Sequence, residues 1–525
     1  MTRWMLPGWV MAAVMMAVPA GVMAQRGMPP GPPSAAEKPA PVPKEKTEVT
    51  HESVVIDGQT IRYTTTAGTL LLYNSKQQAT ASVFYVAYTQ DGVSDPSTRP
   101  VTFAYNGGPG GASALVDIGG FGPRRVAWPK VDQFAAYAPP YRLVDNADSI
   151  LDSTDLVFID AVGTGYSQIV GKGTPKMFYG INEDGTAFAQ FIQRYLKRFH
   201  RWNSPKFILG ESYGTTRNAV LADDLANDGV YLNGVIMCST VLNFATISFG
   251  PGNDLPYELY LPSYAAAAWY HRRLHPRPAS LPALLEQVRK FAAGPYAAAL
   301  FAGANLPAAQ AQAVAAQLEN FTGIPAHLWE EAHLRMSLGM FRRRLMGPEG
   351  PEIGRYDSRF TGPELVPLMP VGEDDQEPSS VAVMGAVTAL FENYVSQTLH
   401  FHSNRIYEQL SYAVNGQWDM HYRAPLSALS GGGSGSPNVA PALSRAMNDD
   451  PGMHVLFNNG YYDMATPFFG TEFTVAHMQV VPAERARISF DYYPVGHMLY
   501  VNPAALPMLH KNIDAFIAAS TPTGQ

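Results

Sequence analysis

The stretch Gly210-Glu211-Ser212-Tyr213-Gly214 sets a hydroxyl between two glycines, with a carboxyl group directly before it. The apolar run "FIL" leads into it, and "TTRNAVLADDLAND", which can form a helix, follows. A G-x-S-x-G turn from strand to helix holds its serine at the tip of a sharp bend, beside the helix N-terminus. A serine hydroxyl is a weak nucleophile. It needs a base to take its proton, and the base needs an acid to orient it. On a strand–turn–helix scaffold of this kind the partners follow in the order Ser, Asp or Glu, His. "VLFNNGYYDMATP" puts Asp463 just beyond a strand end, and "ISFDYYPVGHMLYVNP" puts His497 in the loop after the last candidate strand. Rival residues fit less well. His454 opens a strand, His510 falls in the final helix, His477 follows Asp463 with no strand between, and Asp491 lies inside the strand before His497. The plainer alternatives are a tight turn at Ser212, a solvated turn aspartate and a structural loop histidine.

Acyl transfer also needs donors for the oxyanion that develops on the attacked carbonyl. The backbone N–H of Tyr213 is one expected donor. The second is expected from "FAYNGGPGGAS" (103–113), whose few side chains let backbone approach a substrate. The same loop lacks the Lys-Ser/Thr of a phosphate loop, and no acidic residue stands where a dinucleotide fold requires one, so no nucleotide cofactor is expected. Metal catalysis is not expected either. His271 and His275 are four apart, but "HRRLH" has no glutamate after its first histidine, and His327 and His333 form no cluster.

Elements that could hold these residues are legible along the chain. "ESVVIDGQTIRYTTTAGTLLLYN" and "ATASVFYVAYTQ" alternate with period two, with Asp57-Gly58 as a turn, and predict antiparallel hairpin strands. After residue 100 short apolar runs end in glycine-rich turns and give way to helical stretches. The runs are "PVTFAYNGG", "DLVFIDAVGTG", "KFILGES", "NGVIMCST", "MHVLFNNG" and "RISFDYY". This predicts an α/β fold with a mostly parallel central sheet. A long interval, 255–450, breaks the rhythm with helix-like stretches, including 280–303 and 306–345, and a "SGGGSGSP" segment at 430–437. It is expected to be a mainly helical cap inserted between a first core part (51–254) and a second (451–525).

The net charge of −7 offers no basic surplus for nucleic acid. The one cysteine, Cys238, excludes an intramolecular disulfide and is expected to be an inert core thiol. Residues 1–24 have the form of a signal peptide: Arg3, the apolar stretch Leu6–Val22, and Val22-Met23-Ala24 before a mature start near Gln25. No cysteine follows for a lipid anchor. Residues 25–50 are proline-rich and expected to be a disordered tether. A periplasmic or secreted protein, with no membrane association after signal cleavage, is the expectation.

Together "NGGPGGAS", "DAVGTGYS", "GESYG" and "NNGYYD…VGHM" resemble, in order and spacing, the serine carboxypeptidase family, peptidase family S10, over roughly 100–505. "PGNDLPYELYLPSYAAAAWYH" is similar to its bacterial branch. The resemblance implies an α/β-hydrolase fold with a helical cap and removal of single residues from free peptide C-termini at acidic pH. It implies Ser212 as nucleophile, His497 as base, Asp463 as its orienter, and Gly108 and Tyr213 as oxyanion donors. It also implies Asn106, Gly107 and Glu211 as the holders of the substrate's terminal carboxylate. A protonated Glu211 would donate a hydrogen bond where a carboxylate would repel. The sequence departs from the family in two places. Gly111 stands where the family has cysteine, and Gly120 falls where it has a second carboxylate-binding glutamate. The same triad could instead serve an esterase or an acyltransferase; a non-catalytic hydrolase-fold binding protein is the remaining alternative. Tyr461 and Tyr462, near the site by motif, fit core packing or pocket lining.

Overall fold

Six apolar runs, each followed by a glycine or a polar turn, form the strands expected of them. In the computed structural model, which describes residues 40–131, 134, 137–363, 377–424 and 436–522, the strands are β1 (Thr47–Ile56), β2 (Gln59–Tyr73), β3 (Ala79–Gln90), β4 (Val101–Tyr105), β5 (Asp155–Ile159), β6 (Lys206–Glu211), β7 (Gly234–Cys238), β8 (His454–Gly460) and β9 (Ile488–Tyr493). Their order in the sheet is β1-β2-β3-β5-β4-β6-β7-β8-β9, with the short strand Gln168–Ile169 also pairing β3. The first three strands are an antiparallel meander, and β3 meets β5 antiparallel. From β5 onward every neighbour on this path is parallel. Asp57 and Gly58, both at positive φ, make the predicted turn between β1 and β2.

Parallel strands need crossovers, and the crossovers cover both faces. Side chains alternate accordingly. Phe207 and Leu209 of β6, Ile236 and Cys238 of β7 and Leu456 of β8 enter one apolar cluster. Ile208, Val235, Met237, Val455 and Phe457 enter the cluster on the opposite face. This two-sided burial explains why these strands are continuous apolar runs rather than alternating ones. The helix Ile181–Arg198 covers the second face with Phe188, Phe191, Ile192 and Tyr195. Glu183 and Asp184 lie in its first turn and Lys197 and Arg198 in its last, matching the helix dipole at both ends. Cys238 is a buried free thiol, as expected.

The helical interval divides differently from the expected cap. The helices Leu255–Tyr270, Leu281–Phe291 and Ala308–Thr322, with Trp329 and Phe341, have an apolar cluster of their own, which reaches Tyr462, Met464 and Phe468. The helix Pro378–Asn393 instead sends Val383, Val387 and Phe391 into the first sheet cluster. The helix Ala440–Asp449 sends Leu443, Ala446 and Met447 into the second. The interval thus leaves the sheet and returns to it. The helix-like stretch 306–345 holds several helices: Gly323, at φ 67, ends one, and Pro325 precedes the next, Ala326–Glu331.

β1 begins at Thr47, inside the stretch expected to be tether, because Lys46 and Thr47 are drawn into the β2 edge by hydrogen bonds to Thr69 and register with Gly68. The expected signal peptide, most of the tether and most of the 430–437 segment lie outside the described residues. Among the described residues no helix is long and apolar enough to cross a membrane.

Candidate active site

β6 ends at Glu211, and the helix Tyr213–Asn227 begins two residues later. Ser212, between them, has φ 59 and ψ −126, a conformation that residues with a Cβ rarely adopt. The surrounding glycines permit the bend by close approach. A Cβ on Gly210 would lie 2.2 Å from the Gly214 carbonyl oxygen, and one on Gly107 would lie 2.4 Å from the Tyr213 nitrogen. The second contact brings the glycine-rich loop after β4 directly against the helix N-terminus, where backbone N–H groups lack intrahelical partners. Gly108 follows at φ 114, a conformation open to glycine. The predicted oxyanion donors, Gly108 and Tyr213, therefore come from two segments in contact. The loop is fixed from its other side by Ala112 N–H donating to Gln409 O and Ser411 N–H donating to Gly110 O.

Asp463 and His497 meet. His497 Nδ1 lies 2.8 Å from Asp463 Oδ2. The same carboxylate accepts from the Ala465 N–H (2.7 Å), the Thr466 N–H (2.9 Å) and the Thr466 hydroxyl (2.8 Å), so its orientation is fixed independently of the imidazole. The loop carrying His497 is tied to the strand beside the serine. Ser239 Oγ donates to the His497 carbonyl at 2.6 Å, and Ser212 N–H donates to the Cys238 carbonyl at 3.0 Å. His497 N–H donates to Tyr356 O, and the Tyr356 ring lies 5.3 Å from the imidazole.

On the Nε2 side stands Glu211, its Oε1 3.6 Å away. Asn106 Nδ2 donates to Glu211 Oε2 at 2.9 Å, and the Gly107 N–H also bonds to this carboxyl group. The three residues predicted to hold a terminal carboxylate are thus brought together, with the two donors turned onto Glu211. Burial raises the Glu211 carboxyl above its ordinary range, against the lowering pull of His497 and the Asn106 hydrogen bond; Asp463 adds to the rise. For His497 burial opposes the charge, but Asp463 and then Glu211 outweigh it and raise the imidazole. Both groups are thus shifted toward their protonated forms.

Three further residues escaped the sequence reading. Arg217, fully buried, donates from Nη1 to Asn106 O at 2.8 Å and pairs with Asp184 at 2.7 Å, anchoring the loop that carries Asn106. Thr466 lies 3.2 Å from His497 Nδ1 as well as on Asp463. Tyr500, fully buried, accepts from Asn106 Nδ2 at 3.3 Å. At Gly120 a Cβ would lie 2.4 Å from Tyr500 Cβ and 3.2 Å from Leu506 Cδ2, so these two side chains fill the space at the position of the missing glutamate. "VGHMLYVNP" held Tyr500 in view, but no spacing rule points a tyrosine there at a loop nearly four hundred residues earlier.

The rival residues are elsewhere employed. His454 opens β8 and His477 caps the helix Phe468–Ala476. Asp491 lies on β9, paired in register with Asn458. His510 bonds both Asp152 and Asp514 and is raised to about 10, with burial opposing and the two carboxylates prevailing. That trio has the proximity of a metal site among the described residues. His271 Nε2 lies 2.7 Å from Ser358 O. Tyr462 is buried in the helical cluster, and Tyr461, half-buried, stacks on Tyr492.

Residues 59–274 match the serine carboxypeptidase family, Peptidase_S10. Among solved structures the chain is similar to Kex1(delta)p, a prohormone-processing carboxypeptidase from Saccharomyces cerevisiae. The two are 15% identical over 87% of this chain and 92% of that chain, with a TM-score of 0.55. A proline iminopeptidase from Mycobacterium smegmatis is 13% identical over 86% of this chain and 98% of that one, with a TM-score of 0.35, and nothing rests on that likeness. No protein of curated function matches the chain. The first likeness shows the fold, an α/β-hydrolase fold.

Proposed function

We propose that this chain, whose residues 59–274 match the serine carboxypeptidase family, is an exported enzyme that removes the C-terminal residue from peptides through an acyl-enzyme and works best at acidic pH. The observation that carries this reading is the pairing of His497 with Asp463 on one side and with a buried Glu211, held by Asn106 and Gly107, on the other. Ser212 attacks the last peptide carbonyl as His497 Nε2 takes its proton, and the N–H groups of Gly108 and Tyr213 receive the oxyanion. His497 returns the proton to the departing amino acid. Water, activated in the same way, then releases the acyl group.

The acidic preference follows from one proton and two sites. With Glu211 ionised, the proton on His497 is stabilised and the imidazole is no base. With Glu211 protonated, its negative charge near Nε2 is gone, His497 becomes a neutral base more readily, and Glu211 can donate to a terminal carboxylate. An anionic substrate end beside Glu211 favours this second arrangement. Substrate grip is therefore full below the raised Glu211 pKa and falls as pH rises through it. Export rests on the N-terminal segment in the sequence, and peptides with a free C-terminus are the proposed substrates.

The test is an N-blocked dipeptide acid, its matched amide and its matched ester, assayed across pH for release of the free amino acid, with fluorophosphonate labelling of Ser212. Labelling with turnover of the acid supports the proposal. Labelling with turnover of esters alone would put the chain among the esterases.

A further inference from the structure

We propose that Tyr500 is a positioning residue for recognition of the substrate's terminal carboxylate, acting through Asn106. The inference rests on the carboxypeptidase reading above and concerns how that site discriminates. The Asn106 side chain is buried, and all of its polar atoms are used. Its Oδ1 accepts from Val116 N–H at 2.9 Å. Its amide nitrogen has two hydrogens to give; one contact goes to Glu211 Oε2 at 2.9 Å and the other to the Tyr500 hydroxyl at 3.3 Å. Val116 and Tyr500 thus fix both the face and the rotation of the amide. With one N–H pinned on the phenol, the other has a single direction left, toward Glu211. A terminal carboxylate that shares this place with Glu211 meets a donor already aimed.

The phenol suits this task. Tyr500 has no exposed surface, its Cβ abuts Gly120, and its ring lies against Gly119 and 5.3 Å from the Phe121 ring, so it cannot swing away without opening the core. Burial, reinforced by the Glu211 charge, raises its hydroxyl well above the ordinary tyrosine range, so it stays neutral wherever the enzyme works. The ionisable groups around this network are Glu211, His497 and Asp463, with Cys238 beneath. Asn106 is thereby steadied by a partner whose state pH does not change, while Glu211 beside it titrates. Loss of the hydroxyl frees one Asn106 N–H and lets the amide rotate, a buried donor without its partner.

Tyr500→Phe keeps the ring that packs on Gly119 and removes only the hydroxyl, so a cooperative melt lowered by no more than a few degrees, the cost of one unpaired buried donor, is expected. On the N-blocked dipeptide acid KM should rise about three- to tenfold with kcat nearly unchanged, while the matched ester keeps its KM. In an Asn106→Ala background the same substitution should add little, because the tyrosine acts through the amide. An equal change for acid and ester, or a fall in kcat alone, would overturn the proposal, as would a full KM effect in the Asn106→Ala background. Failure of the carboxypeptidase reading looks different: wild type itself would then leave the peptide acid intact.

Discussion

Two buried carboxyl groups flank one imidazole, and their surroundings give them different tasks. Asp463, on the Nδ1 side, accepts from two backbone N–H groups, a threonine hydroxyl and the histidine. It is held in place by its own loop. Glu211, on the Nε2 side, has a side-chain amide and one backbone N–H, and burial drives its carboxyl toward the neutral form. In the proposed mechanism the fuller donor set fits Asp463 to orient the imidazole, and the sparser one leaves Glu211 to exchange a proton. What the contrast teaches is that the position of a carboxyl group beside an imidazole does not fix its surroundings; the donors that meet it do.

The largest effect expected is at the residue both carboxyl groups serve through the histidine. Ser212→Ala should lower kcat by roughly a millionfold with the fold intact, measured as steady-state turnover alongside a melting curve. Activity near wild type would remove the triad and make the comparison pointless. Asp463→Asn tests the Nδ1 side. An amide can donate to Nδ1 and stabilise the wrong tautomer, so a loss on the order of 10⁴-fold in kcat is expected. Combined with Ser212→Ala it should add almost nothing, since the residues act as a unit.

Glu211→Gln tests the other side and should cost far less at low pH. The variant keeps a donor but cannot ionise. Two shifts in the pH profile are expected. The rise in KM for a peptide acid at higher pH should shrink, by roughly ten- to a hundredfold at its largest, the worth of a hydrogen bond to a charged group. The acid limb of kcat/KM should also move to lower pH, because the negative charge 3.6 Å from Nε2 that helps raise His497 is gone. An unmoved acid limb would show that Glu211 and His497 do not share a proton. The smallest effect expected is structural. Gly120→Ala places a Cβ 2.4 Å from Tyr500 Cβ, so backbone or ring must shift, at a cost of about 1–3 kcal/mol in chemical denaturation. A neutral result would mean that the Tyr500 ring is loosely held, and the steadiness attributed to the Asn106 network would go with it.

The sequence by itself carried the sheet strands, the turn at Asp57-Gly58, the strand-to-helix bend at Ser212 and the pairing of Asp463 with His497, because these rest on local rules. Two-sided burial makes apolar runs, a strand-to-helix bend needs its glycines, and chain order follows from loops that converge at one end of a parallel sheet. The resemblance added Asn106, Gly107, Gly108, Tyr213 and Glu211. Tertiary structure decided the rest. That the helical interval returns to both faces of the sheet depends on which apolar stripes find partners, and the stripe of 440–449 does not name its own neighbour. That Asn106 and Gly107 turn onto Glu211, that Arg217 holds the backbone of Asn106, and that Tyr500 occupies the space over Gly120 are contacts between residues one hundred to four hundred positions apart. A hydrogen bond of that span leaves no periodicity in the sequence. It exists because several elements, each placed by its own packing, end within three ångströms or so of one another.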